Sequence, residues 1–189
     1  NGNSIIGTNP SDNWNTPNTT FGVFVDSRTN IILKNLEISN FYHGIYLSSI
    51  VNTQIENNVI FDNLSAQIKL DSSNNNKILN NVIPCGVGIV GIATFFGDGN
   101  SILGNTISDC ELKGIEAGQE KNFIVSDNLV DMQNSGNFQP MGMDIGSDSA
   151  SLIGNTVQNS HYGIRYSGMD SIIKNNIISN HSVIGLSSD

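Results

Sequence analysis

Three charged residues stand at the same point of a phrase that recurs along the chain. Glu116, Asp144 and Arg165 each follow a glycine and one apolar residue. Two carboxylates held side by side repel each other, which raises the pKa of one of them and can supply an acid–base pair. A neighbouring arginine would lower the pKa of the other carboxyl or neutralise an acidic sugar. These three residues are therefore the candidate catalytic groups. The expected distance between the two carboxylates is closer to that of retaining than of inverting glycosidases.

A plainer interpretation of the same residues is a solvated charged strip. In that case Arg165 pairs with Asp144, and the pair contributes little to stability. The sequence leaves both interpretations open.

The acidic residues of this region also suit calcium, which prefers hard oxygen ligands. The candidate ligands fall on two adjacent repeats and are Glu116, Glu120, Asp144 and Asp148. Because the chain carries a net charge of −9, an acidic polysaccharide would need such a bridging cation. Calcium is the one cofactor we expect, since the histidines are too dispersed for copper.

Aromatic and basic side chains elsewhere could contact a sugar, because a ring can stack on a sugar face. Tyr46 and Lys69 occupy the outward position of earlier repeats. The full set of candidate substrate-binding residues is Tyr46, Lys69, Trp14, Phe138 and Tyr166.

The elements that must position these residues follow from the repeat. An asparagine recurs at spacings of 21 to 27 residues, with an apolar residue three positions before it and another two positions after it. Only the first copy departs from this, with Glu37 in the second apolar position. The recurring asparagines are Asn35, Asn58, Asn81, Asn105, Asn128, Asn155 and Asn176.

Such a period predicts a solenoid. Short segments rich in Ile and Val suit strands rather than helices, and successive coils must pair in parallel. We expect an all-β, right-handed parallel β-helix of about seven coils with three short strands per coil. In the third strands, alternation with period two places Ile89 and Ile184 inward, and Val90 and Gly185 outward.

The recurring asparagines have a structural explanation. An Asn adopts left-handed backbone angles at low cost, and stacked copies can donate their side-chain amides to the next coil as a ladder. We expect these residues to hold corners of the coil.

The chain is predicted to form one domain over residues 1–189, with a polar loop at residues 8–20 and an insertion at residues 132–141. Neither end shows a capping helix, so the solenoid ends could associate with other chains. Cys85 and Cys110 fall at nearly the same turn of adjacent coils. They are either a disulfide or two stacked, buried thiols.

Composition excludes several classes of partner. With 17 acidic against 8 basic residues, and no cluster of Lys and Arg, the chain does not suit nucleic acid. No apolar run approaches the ~18 residues of a membrane span. Only 13% of residues are charged, which is typical of secreted and cell-surface solenoids.

The phrases I-x-x-N-x-I, as in residues 102–107, and G-I-x-L, as in residues 163–166, resemble the parallel β-helix repeats of the pectate-lyase-like superfamily. The likeness covers roughly residues 21–186 and is nearest to NosD-like and carbohydrate-binding surface proteins. Signature motifs of the polygalacturonases and alginate epimerases are absent. The resemblance implies an extracellular module that binds polysaccharide, or processes it as a lyase, hydrolase or epimerase. The alternative is a non-catalytic, self-assembling surface solenoid.

Overall fold

The computed structural model describes residues 3–8, 20–133 and 139–188. Over these residues the chain forms short β-strands joined by turns, with no helix and so none able to cross a membrane. In chain order the strands are β1 Asn3–Ile6, β2 Phe21–Asp26, β3 Ile32–Lys34, β4 Leu36–Ser39, β5 His43–Ser48, β6 Gln54–Glu56, β7 Val59–Phe61, β8 Ala66–Asp71, β9 Lys77–Leu79, β10 Val82–Pro84, β11 Val90–Phe95, β12 Ser101–Leu103, β13 Thr106–Ser108, β14 Lys113–Lys121, β15 Ile124–Ser126, β16 Leu129–Asp131, β17 Met141–Asp148, β18 Ser151–Ile153, β19 Thr156–Gln158, β20 Tyr162–Ser167, β21 Ile172–Lys174, β22 Ile177–Ser179 and β23 Ile184–Ser188.

Every third strand belongs to the same parallel sheet. Sheet A has the order β1-β4-β7-β10-β13-β16-β19-β22, sheet B the order β2-β5-β8-β11-β14-β17-β20-β23, and sheet C the order β3-β6-β9-β12-β15-β18-β21. Each coil thus contributes one strand to each sheet. The predicted right-handed parallel β-helix of about seven coils is confirmed.

The core is a set of apolar columns that run along the axis. In sheet A, Ile60, Ile83 and Ile107 stack in successive coils and are fully buried. Ile55, Ile78 and Ile102 do the same in sheet C. Burial of each such side chain contributes about 1.5–3 kcal/mol, so the repeated apolar positions of the sequence are the main stabilising feature of the coil.

The predicted asparagine ladder is present at the bend between sheets C and A. The buried Asn105 accepts the backbone N–H of Asn81 at 2.9 Å. Its side-chain amide donates to the carbonyl of Ile78 at 2.9 Å and to Oδ1 of Asn128 at 3.0 Å. Each asparagine therefore satisfies polar groups on the coil before it and the coil after it.

The left-handed corner lies one residue earlier than predicted. Asn80 has a φ of 54°, and Gly104 occupies the equivalent place in the next coil with a φ of 62°. In the first coil Asn35 itself is this corner residue, with a φ of 56°. Leu36 takes the ladder position, where its N–H donates to Oδ1 of Asn58. Glu37 then points outward, which explains its departure from the apolar pattern.

Two of the predicted third strands are out of register. Ile92 is the buried residue of its coil and Ala93 the outward one, in place of Ile89 and Val90. The Gly-Ile phrase occurs twice in that coil, at residues 88–89 and 91–92, and the strand pairing selects the second copy. In the last coil Leu186 and Ser187 pair with the inward and outward positions of β20, in place of Ile184 and Gly185.

A disulfide joins Cys85 to Cys110. Both residues are fully buried in adjacent coils, with their Cα atoms 4.8 Å apart. Of the two possibilities that the sequence left open, the structure has the covalent bond.

We predict that Asn105→Ala lowers the free energy of unfolding by about 2–4 kcal/mol, because it leaves a buried N–H and a buried C=O without partners. Asn80→Gly is the matched control, since the neighbouring coil already has a glycine at that corner and the change should cost only a few tenths of a kcal/mol. Urea unfolding of both variants measures the difference. Equal losses in the two variants would show that the ladder has no special role.

Candidate functional site

The predicted catalytic residues lie together on the outer face of sheet B. Glu116 of β14 pairs with Asp144 of β17, which pairs in turn with Arg165 of β20. The outward column to which they belong is Phe24, Tyr46, Lys69, Ala93, Glu116, Asp144, Arg165 and Ser187.

Four of the side chains on this face form what we call the ion-pair network: Lys113, Glu116, Asp144 and Arg165. Arg165 donates to both oxygens of Asp144, from Nε at 2.9 Å and from Nη2 at 2.7 Å. Lys113 Nζ contacts Glu116 and lies 2.7 Å from Oδ2 of Asp144. Lys113 was missed by the sequence reasoning, which considered only the residue after each Gly-Ile pair.

The network keeps Asp144 ionised. Partial burial acts to raise the pKa of this carboxyl, but hydrogen bonds from Arg165 and Lys113 outweigh it and lower the pKa below its ordinary value. Burial likewise acts to lower the pKa of Lys113, and its bonds to Asp144 and Glu116 raise it instead. Asp144 and Lys113 are thus both charged at neutral pH, and the cations offset the predicted repulsion between the two carboxylates.

Aromatic side chains cover the other end of the same face. We call Phe21, Phe24, His43 and Tyr46 the aromatic platform. The ring centroids of Phe21 and Phe24 are 5.1 Å apart, and those of Phe24 and Tyr46 are 5.6 Å apart. Burial, with a contribution from the charge of Lys69, lowers the pKa of His43 to about 4. At neutral pH the platform is therefore uncharged.

Lys69 links the platform to the middle of the face. Its Nζ lies 5.2 Å from the ring centroid of Tyr46 and 5.9 Å from that of Phe95. Both distances are within the range of a cation–π interaction. The two predicted substrate-binding residues Tyr46 and Lys69 are thus neighbours on this surface.

A shallow groove of about 500 Å³ continues the face beside the ion-pair network. Its lining includes Gln119, Lys121, Gly146, Asp148 and Ser167. A β-bulge between residues 118 and 120 shapes its edge, and Gln119 has a φ of 55° there. Because Gly146 has no side chain, the floor of the groove is not filled at this position.

Glu120 is turned into the solenoid, although it was predicted as a metal ligand. It is 2% exposed and accepts a hydrogen bond from Nδ2 of Asn100 at 3.1 Å. Burial raises its pKa to about 7, although hydrogen bonds from Asn100, Thr94 and the Gly97 backbone act in the opposite direction. Oε1 of Glu120 is buried with no close partner of good geometry, and so is Oγ1 of Thr94.

The four predicted calcium ligands do not converge. Glu116 and Asp144 are held in the ion-pair network, Glu120 points inward, and Asp148 accepts the backbone N–H of Met169 at 2.9 Å. Among the described residues no three acidic, histidine or cysteine side chains are placed to hold a metal ion.

The remaining predicted sugar contacts have mixed outcomes. Tyr166 is only 7% exposed, and its hydroxyl donates to the carbonyl of Ser147 at 2.9 Å inside the coil. It follows Arg165 in a strand, so it points to the opposite side and is not on the surface as predicted. Trp14 and Phe138 lie outside the described residues.

Comparison with known proteins agrees with this geometry. The family model described as "Right handed beta helix region" matches residues 21–138. The chain belongs to this family. No curated protein matches the chain.

Several solved structures share the right-handed β-helix. The periplasmic alginate epimerase AlgG is 20% identical over 88% of this chain and 42% of its own, with a TM-score of 0.59. An alginate lyase from Paenibacillus sp. str. FPU-7 is 13% identical over 99% of this chain and 80% of its own, with a TM-score of 0.64. DFA-IIIase from Arthrobacter chlorophenolicus A6 is 13% identical over 85% and 53%, with a TM-score of 0.56. The chain thus spans less than half of the epimerase, and at these identities the likeness is one of fold.

We predict that Glu120→Gln makes the protein more stable above pH 7. Folding raises the pKa of Glu120 from 4.5 to about 7, so the folded state binds more protons than the unfolded state between these values. The stability that this group contributes is therefore lost as pH rises through this window, by up to about 3 kcal/mol. The glutamine side chain stays neutral at every pH, so the variant does not lose this stability as the pH rises.

Urea unfolding at a series of pH values between 4 and 8 measures the effect. Glu37→Gln, at an exposed position of sheet A, is the control and should leave the pH profile unchanged. A Glu120→Gln profile that runs parallel to that of the wild type would contradict the assignment of a buried, neutral carboxyl.

Proposed function

We propose that the protein binds a polysaccharide along the outer face of sheet B, outside the cytosol. The observation that carries this proposal is that these features share one face of a single sheet. The aromatic platform lies on β2 and β5, Lys69 on β8, and the ion-pair network and the groove on β14, β17 and β20. A linear chain of sugars is the ligand that such a long, ribbon-shaped surface suits.

The chemistry of the platform favours sugar rings. Phe24 is 53% exposed, and its ring stands beside that of Tyr46, so apolar ring faces are presented to solvent. Aromatic rings pack against apolar faces, while the phenolic oxygen of Tyr46, whose O–H donates to Asp71 at 3.4 Å, can still accept a hydrogen bond. The matched structures include enzymes named for alginate, which supports a carbohydrate as the ligand class.

The dimensions also suit a polymer. Phe24 and Arg165 are separated by six strand-to-strand steps within sheet B. At roughly 4.8 Å per step, the surface between them is about 29 Å long. That length accommodates several sugar residues in a row.

Binding is better supported than catalysis by the described residues. Hydrogen bonds from Arg165 and Lys113 outweigh the effect of burial and lower the pKa of Asp144, which disfavours this carboxyl as the proton donor of an acid–base pair. The catalytic roles of Glu116, Asp144 and Arg165 in a lyase, hydrolase or epimerase reaction stay a prediction. Measurement of chain length and reducing ends of every bound polysaccharide tests the lyase and hydrolase roles, and its sugar composition before and after incubation tests the epimerase role.

The disulfide between Cys85 and Cys110 supports the location. Such bonds persist in oxidising compartments and are rare in the cytosol. A periplasmic, cell-surface or secreted position is consistent with a polysaccharide ligand.

The test is binding of the purified protein to a polysaccharide array, followed by isothermal titration with each ligand found. Phe24→Ala and Tyr46→Ala should each weaken binding about 3- to 10-fold, because each removes a stacking ring worth about 0.5–1.5 kcal/mol. Phe61→Ala is the matched control, since Phe61 is a partly buried aromatic residue of sheet A, away from this face. Its affinity should equal that of the wild type.

Titrations with and without added Ca²⁺ test the predicted calcium dependence. Failure of the folded wild type to bind any polysaccharide would contradict the proposal and favour a non-catalytic, self-assembling solenoid. Equal losses in Phe24→Ala and Phe61→Ala would place the ligand elsewhere.

A further inference from the structure

The basic side chains on the outer face of sheet B already have partners. Lys113 lies between Glu116 and Asp144, and Arg165 binds both oxygens of Asp144. Lys69 lies over the rings of Tyr46 and Phe95. An incoming carboxylate would therefore compete with existing interactions rather than meet an unoccupied cation.

The charges of the face also do not favour an anion. Along its described strands the outward basic residues are Lys69, Lys113, Lys121 and Arg165, and the outward acidic residues are Asp26, Asp71, Glu116, Asp144 and Asp148. The acidic side chains are in excess, and the whole chain has a net charge of −9. A polyanion would approach against this field, which lowers both its rate of association and its affinity.

The groove also contains paired basic and acidic side chains. Lys121 stands in register with Asp148 across β14 and β17, so opposite charges face each other at its edge. The remaining lining residues with polar side chains are Gln119, Ser147, Ser167 and the inward-turned Glu120. Amides and hydroxyls both donate and accept hydrogen bonds, as sugar hydroxyls do.

We infer that the ligand of this face is an uncharged polysaccharide. This inference rests on the proposed function and specifies the charge of its ligand. Sugar rings stack on the aromatic platform and hydroxyl groups bond to the polar groups of the groove, while the ion-pair network stays intact beneath the chain. Alginate, the acidic polysaccharide named in two of the matched structures, is by this reasoning a poor ligand.

The first test compares neutral polysaccharides (glucans, mannans, galactans and fructans) with alginate and polygalacturonate. At least one neutral polymer should bind at least about tenfold more tightly than either acidic polymer. Its dissociation constant should change less than about twofold between low and high salt, because no charge pairing is screened. Preferential binding of an acidic polymer, weakened by salt, would overturn the inference.

A second test fills the groove. A Cβ added at Gly146 would meet its nearest atom at 3.4 Å, an ordinary contact, so this position accepts the first carbon of a side chain, and Gly146→Leu should project its side chain over the floor. It should weaken binding of the neutral polymer about tenfold. Thr106→Leu is the matched control, because Leu129 occupies the equivalent outward position of sheet A in the next coil, and its affinity should not change.

A third test changes the charge of the face. Asp144→Asn removes one negative charge beside Lys113 and Arg165 and should increase alginate binding severalfold at low salt. Unchanged alginate binding in this variant would contradict the conclusion that the ion-pair network disfavours an acidic ligand.

The outcomes separate the two proposals. Absence of binding to every polymer would contradict the proposed function itself. Binding with an acidic preference would retain that function and contradict only the inference about charge.

Discussion

The structure depends on the stacking of equivalent residues one coil apart. A strand of three residues, such as Thr106–Ser108 of β13, cannot be stable alone, because the conformational entropy lost on ordering it outweighs the free energy gained from its few contacts. Each coil is held by backbone hydrogen bonds to the coils on both sides and by the asparagine ladder, which satisfies the polar groups of the bend. Any residue type that recurs in the sequence therefore becomes a column in space.

The outer face of sheet B is a direct result of this stacking. Side chains that lie 21 to 28 residues apart in sequence become neighbours about 4.8 Å apart, as Glu116, Asp144 and Arg165 show. Because the sheet is parallel and in register, Arg165 comes to lie beside Asp144 and pairs with it. The result is a surface whose ionic groups interact mainly with one another, and whose exposed apolar and polar groups remain available to a ligand.

Stacking of the coils supplies hydrogen-bond partners to polar groups in the interior. Asn100 continues a second line of asparagines after Asn76, and Glu120 of the following coil accepts its amide. The bulge at residues 118–120 turns Glu120 inward, and burial then favours its neutral form. The same bulge forms the edge of the groove, so the interior polar contact and the shape of the outer surface are coupled.

The amino-acid sequence alone was enough to establish the period, the three strands per coil, the apolar columns and the alignment of Glu116, Asp144 and Arg165, because a regular repeat maps sequence spacing onto position.

Four other features required the folded chain. The choice between two Gly-Ile phrases in one coil depended on pairing with neighbouring strands. The left-handed corner before the ladder depended on how the bend closes. The inward turn of Glu120 depended on a β-bulge that no local sequence pattern predicts. Lys113 belongs to the site because its long side chain reaches Asp144 on the next strand. These features arise from contacts between coils, which join residues that are distant in sequence and become adjacent only once the chain has wound.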